Sequence, residues 1–220
     1  MSKIFIVGGA GKVGRRLAGQ LASRGHEPRA LHRHPEQAVE LRALGATPVA
    51  GNLLELDVDG LAALMAGSDV VVFSAGAGGK GGPEMTNAID GRGLELAVAA
   101  ARQAGIRRFL LVSAFPEAGR GKPAASSTFE NYMAVKKLAD VHLAETDLDW
   151  VILRPGTLRD DPGSGRVRTG LAIPYGEVTR DDVAATLVEL VERPAVNRII
   201  VELTRGDVPV GESVQRLAHA

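Results

Sequence analysis

Apolar positions along the chain fall into two rhythms. Short runs rich in β-branched and aromatic residues, "KIFIVG" (3–8), "EPRALHR" (27–33), "ATPVAGN" (46–52), "SDVVVFSAG" (68–76), "RRFLLVSA" (107–114) and "LDWVILRPG" (148–156), read as strands. Between them lie longer stretches of helical period. Residues 12–25 place Val13, Leu17 and Leu21 four apart and stop at Gly25; 35–45 opens on proline and closes on glycine. Further helices are predicted over 57–67, 83–105 and 128–146. After Gly156 the rhythm breaks. "TLRDDPGSGRVRTG" (157–170) reads as loop, and 179–194 as a helix with Thr179 as N-cap and Asp181 and Asp182 in its first turn. A late strand is predicted over 197–204 and a short helix from Pro209. Trp150, the only tryptophan, reads as core, and "GAGGKGG" (76–82) as a low-complexity, mobile stretch.

Strands that are apolar throughout, alternating with helices, predict a parallel sheet covered on both faces, a three-layer α/β/α sandwich. Right-handed crossovers then give a doubly wound Rossmann arrangement, with ligands outside the carboxyl ends of the strands. At 220 residues the chain suits a single domain, with 157–220 a small C-terminal, substrate-side portion of it. A formal net charge of zero argues against a general nucleic-acid or anionic-membrane surface. The absence of cysteine excludes disulfides, thiolate metal sites and a cysteine nucleophile. The five histidines form no spaced ligand set, so no metal is expected. The apolar runs are far too short to span a bilayer, and no signal peptide is recognisable; the cytoplasm is the default expectation.

Chemistry enters at "GGAGKVG" (8–14). Glycine is 27 of 220 residues, so Gly-x-x-Gly-x-x-Gly should occur about 0.4 times by chance somewhere in the chain. Its place between the first strand and the first helix is what makes it informative. There Gly8 permits a tight turn, Gly11 lets backbone approach a pyrophosphate, and Gly14 lets the helix pack against the sheet. The free amides at the positive end of the helix, around Ala10 to Val13, would then bind the phosphates, and Lys12 in this loop is a candidate second cation for a 2′-phosphate. The alternative is a glycine-rich turn that binds nothing.

The end of the second strand selects the dinucleotide. NAD sites commonly carry an acid there for the ribose hydroxyls. Here the residues are His32, Arg33 and His34, and a guanidinium suits a 2′-phosphate, so NADP(H) is favoured over NAD(H). Arg33 as a merely solvated loop arginine is the competing reading.

With these residues the chain resembles the short-chain dehydrogenase/reductase superfamily, in its atypical, NmrA-like branch of NAD(P)H-binding and flavin reductase-like proteins. The likeness rests on "GNLLELD", "FSAG", "RRFLLVSA", "YMAVK", "ILRPGTL" and "VTRDDVA". It implies that Asn52 and Leu53 lie near the adenine, although the family more often has aspartate at Asn52. It also implies that Ser74, Ala75 and Gly76 run along the ribose and diphosphate, and that Pro155 sits beside the nicotinamide. Ser113 and the pair Tyr132 and Lys136 match the superfamily's catalytic serine and Tyr-x-x-x-Lys. Residues i and i+4 share a helix face, so the Lys136 ammonium is expected to lower the Tyr132 pKa toward working pH, with Ser113 orienting the reacting oxygen. Lys136 would also hold the nicotinamide ribose. Against this stands a packing role for Tyr132 and a solvated Lys136 beside Lys137. The superfamily's helix-four asparagine has no clean counterpart; Asn87 or Asp90 is nearest.

A segment over 115–131 falls where the family's substrate loop lies, with Arg120 and Lys122 available to an anionic substrate. No chemistry is assigned to Arg180, Asp181 or Asp182. The reading is an NADP(H)-dependent oxidoreductase acting on a small carbonyl, quinone or flavin-like acceptor. A non-catalytic redox-sensing regulator and an NAD(P)-dependent epimerase or dehydratase are the alternatives. Helix-pair homodimers are frequent in the family, so the resemblance allows one here.

Overall fold

The computed structural model describes residues 1–118 and 126–219. Strand β1 (Lys3–Val7) is followed by α1 (Lys12–Ser23), β2 (Glu27–His32), α2 (Gln37–Ala43), β3 (Thr47–Ala50), α3 (Val58–Met65) and β4 (Val70–Phe73). The connection to β5 (Arg108–Val112) runs through α4 (Gly82–Thr86), a π-helical segment over Asn87–Arg92, and α5 (Gly93–Gln103). Helix α6 (Ser127–Ala144) leads to β6 (Asp149–Pro155). The C-terminal portion supplies β7 (Thr157–Arg159), β8 (Arg166–Gly170), β9 (Glu177–Thr179), α7 (Arg180–Glu192), β10 (Ile199–Arg205), β11 (Val208–Pro209) and α8 (Val210–Arg216).

Nine strands form one sheet in the order β11-β8-β10-β6-β5-β4-β1-β2-β3. Six neighbouring pairs, from β3 to β10, are parallel. The chain reverses direction of growth between β1 and β4, which opens the crevice where doubly wound sheets bind ligands. Alternation within β1 feeds both faces. Ile4 and Ile6 join a core with Leu17 and Leu21 of α1 and Val183 and Leu187 of α7. Phe5 and Val7 join another with Leu61, Leu94, Phe109 and Trp150. The three-layer reading and the core place of Trp150 both hold.

Two expectations are corrected. The stretch 157–170 is not simply loop: it contributes β7 and β8, and β8 and β11 pair antiparallel at the sheet's edge. In β8 only Val167 is buried, so no apolar run announced it; its strand character comes from the partner strand β10. The helix over 83–105 is not one regular rod either, since it widens to a π turn at Asn87–Arg92. Such turns cluster at functional sites because they re-aim side chains. Thr179 caps α7 as expected, accepting from the Asp182 amide at 3.0 Å.

Candidate functional site

The first helix starts as a phosphate-facing helix must. Gly8 adopts φ +83°, and a Cβ there would lie 2.6 Å from the Ala75 nitrogen. A Cβ on Gly14 would meet the Gly8 carbonyl at 2.3 Å. Gly11 caps α1 with no side-chain hydrogen bond, and the first turn holds no acid, so its positive end is not neutralised from within the helix. Arg15 Nε donates to the Ala10 carbonyl at 2.7 Å and holds the loop's shape.

Outside the carboxyl ends of β1 to β4 lies a cleft of about 730 Å³. Gly8, Ala10, Gly11, Lys12, His32, Arg33, Asn52, Leu53, Ser74, Ala75 and Gly76 line it. Val13 and Gly14 do not; they face inward from α1. Pro155 does not either, being buried at the end of β6. His32 is buried and its Nδ1 lies 3.1 Å from the His34 carbonyl oxygen, so it braces the turn that carries Arg33. Gln37 completes that brace, its Oε1 accepting from the Arg33 and His34 amides. Asn52 is held in its own turn, donating to Glu55 and accepting from the Leu54 amide.

Four of the lining residues are lysine or arginine. Lys12, Arg33, Lys80 and Arg180 face the cleft, and none of the lining residues is a carboxylate. Lys80 and Arg180 escaped the sequence reading, Arg180 because a residue in a helix's first turn is ordinarily only solvated. The cradle that Gly8 and Gly14 keep clear, together with this cationic wall, fits a dinucleotide phosphate chain.

Ser113, Tyr132 and Lys136 do not line this cleft. Asp90 links Lys136 to the cleft residue Ala77. Asp90 sits in the π segment, accepts the Ala77 amide at 2.9 Å and lies 3.6 Å from Lys136 Nζ. Lys136 is only 4% exposed, which rules out the solvated reading, and it donates to the Val112 carbonyl at 3.0 Å. Ser113 follows β5, with its amide donating to the Leu153 carbonyl and its Oγ buried without a partner. Asn87, the other candidate for the missing asparagine, instead accepts from Asn131 at 3.1 Å. A second buried pair, Arg154 with Asp140 at 2.8 Å, stands behind the Asp90–Lys136 pair.

This arrangement corrects the expected effect on Tyr132. Its pKa is pushed up to about 12, first by burial and then by the negative charges of Asp90 and Asp140. The Lys136 ammonium is spent on Asp90 and the strand carbonyl rather than on the phenol. Burial also lowers the Lys136 pKa, with Asp90 and Asp140 opposing. Between about pH 10 and 12 the folded protein keeps a proton that the unfolded chain has lost. Tyr132 therefore contributes stability that is whole below pH 10 and vanishes as pH rises through 12. Absorbance titration near 295 nm should show a late phase near pH 12, absent in Tyr132→Phe; one phase near 10 for both proteins would contradict this environment.

Phe115 meets Tyr175 edge-on at 5.3 Å, and the Tyr175 hydroxyl lies 2.6 Å from that of Thr157, just past the end of β6. Arg120 and Lys122, and the middle of the expected substrate loop, lie outside the described residues. Among those described, no three potential metal ligands cluster, and no helix is long and apolar enough to cross a membrane.

Comparison with known proteins agrees with this geometry. The NAD(P)H-binding family model matches residues 8–194. An uncharacterised sugar epimerase, YhfK of Bacillus subtilis, is 35% identical over 98% of this chain and its own full length. A solved structure from Bacillus halodurans, described as an NAD-dependent epimerase/dehydratase, is 34% identical with a TM-score of 0.89, covering 98% of this chain and 100% of that one. The oxidoreductase YlbE of Lactococcus lactis is 26% identical with a TM-score of 0.86, over 99% and 97%. The chain belongs to the NAD(P)H-binding family, among the atypical short-chain dehydrogenase/reductases.

Proposed function

We propose that this protein is an NADP(H)-dependent reductase of a small carbonyl, quinone or flavin-like acceptor. The observation that carries the reading is the lining of the dinucleotide cleft, four cations and no carboxylate, with Arg33 at the end of β2. The glycine loop and the start of α1 would hold the diphosphate, Arg33 the 2′-phosphate, and Asn52 and Leu53 the adenine. When bound, the nicotinamide supplies the hydride.

The protein's own part is proton delivery. Tyr132 carries its proton at neutral pH, the form from which a phenol can donate. Ser113, with a free hydroxyl, would orient the acceptor oxygen, and Lys136 would fix the charge balance behind Tyr132. The oxidoreductase name of the Lactococcus lactis relative supports this reading. The epimerase names of the two Bacillus relatives support a second one, in which the same hydride returns to the substrate; an NAD-type acid on β2 would suit that chemistry better than Arg33.

Calorimetry on wild type and Arg33→Ala tests the coenzyme reading. Arg33→Ala should lose about tenfold to a hundredfold in NADPH affinity, as expected for a charged phosphate contact, and little in NADH affinity. Equal losses would refute the 2′-phosphate assignment. An acceptor screen following loss of reduced nicotinamide, with Tyr132→Phe beside wild type, tests the reaction. Binding without turnover on any acceptor would point to the redox-sensing regulator instead.

A further inference from the structure

The "VTRDDVA" stretch (178–184) enters the cleft through one residue. Arg180 opens α7 and lines the cleft, and its Nη1 lies 2.9 Å from Asp160 Oδ1. Asp160 follows β7 in the C-terminal portion of the chain. Its other oxygen receives Lys12 Nζ at 2.6 Å, from the glycine loop 148 residues away. Arg16 stands 3.7 Å off but has a closer partner in Asp181 at 2.7 Å. Two cations from opposite halves of the sheet thus converge on one oxyanion at the mouth of the cleft, beside the uncapped start of α1.

We propose that Lys12 and Arg180 form a subsite for the coenzyme's diphosphate, which the Asp160 carboxylate occupies until the coenzyme displaces it. This rests on the coenzyme reading above. The placement of charge is that of a phosphate: one oxygen takes a hydrogen bond from Lys12, and the other pairs with the Arg180 guanidinium. Lys12 makes no other ion pair among the described residues, so both cations become available together when Asp160 leaves. The Lys12 hydrogen bond, helped by the charges of Arg180, Lys12 and Arg16, holds the Asp160 carboxyl below the usual range, against an opposing desolvation. It is therefore ionised at neutral pH and competes with any incoming anion. Its side chain is 50% exposed, and exposed ion pairs are weak, so a diphosphate backed by a helix start outcompetes it. Asp160 then sets an upper limit on affinity, and Arg180 becomes a coenzyme ligand supplied by the substrate side of the molecule.

Binding of NADPH, ADP-ribose and adenosine 2′-phosphate to wild type, Asp160→Asn, Arg180→Ala and Arg180→Lys separates the possibilities. Asp160→Asn should tighten NADPH and ADP-ribose about threefold to tenfold. Arg180→Ala should weaken both about tenfold, with Arg180→Lys between. Adenosine 2′-phosphate, which lacks the diphosphate, should respond to neither. Asp160 is exposed, so its variant carries the test even if Arg180→Ala fails to fold. Weaker binding and faster release in Asp160→Asn would overturn the proposal by making the carboxylate a strap over bound coenzyme. Unchanged affinities in both variants, with wild type still binding, would overturn the subsite alone. Wild type binding none of the three ligands would bring down the coenzyme reading and the subsite with it.

Discussion

Gly14→Ala is expected to destabilise the protein by about 1–3 kcal/mol and to remove measurable dinucleotide binding. Gly19→Ala, in the same helix, is expected to stabilise it by up to about 1 kcal/mol. Propensity favours alanine equally at both sites, so surroundings decide the sign. At Gly19 the added carbon would touch only the end of the Leu44 side chain, at 3.5 Å, an ordinary contact. At Gly14 it would meet the Gly8 carbonyl at 2.3 Å and Gly9 Cα at 2.8 Å, both backbone. Backbone cannot rotate away. Helix α1 must lift from the loop, and the loop amides lose the positions from which they face a phosphate. Urea unfolding and calorimetry on the two variants measure both effects; the same sign at both sites would refute the close-packed cradle.

Lys136→Met is expected to cost about 3–5 kcal/mol, because it leaves the Asp90 carboxylate buried with only the Ala77 amide as partner. In a chain of this length that lowers the melting temperature by roughly 6–20 °C. Lys136→Met combined with Asp90→Asn should recover most of that loss, since the uncompensated charge is gone. Turnover should not recover with it. The double variant therefore separates the lysine's part in holding the fold from its part behind Tyr132. A single variant as stable as wild type would mean that the pair is solvated and that Lys136 lies elsewhere.

The dinucleotide cleft was largely legible from local pattern. A strand ending at Val7, glycines at set offsets and a helix start are all encoded within about a dozen residues. The same holds for Arg33, whose position at the end of β2 follows from the strand itself. Asp160 and Arg180 were not legible as partners of Lys12. Neither carries a local signal, and their meeting depends on where β7 and α7 come to rest beside α1. Lys136 looked like one of two neighbouring helix lysines. Only the tertiary structure shows it sunk against Val112 and Asp90, and Asp90 itself is turned inward by a π segment that no periodicity announced. The expected low pKa of Tyr132 failed for a related reason: spacing along a helix says which side chains are neighbours, not which third group captures the charge.

By itself, then, the sequence determined the alternating elements, the doubly wound class and the phosphate-facing loop, because backbone propensity and apolar period act over short stretches. The tertiary structure alone decided the antiparallel edge, the charge partners of Lys12 and Lys136, and the proton affinity of Tyr132. Those depend on burial and on electrostatic contacts between groups far apart in the chain, and such energies exist only once the sheet has assembled.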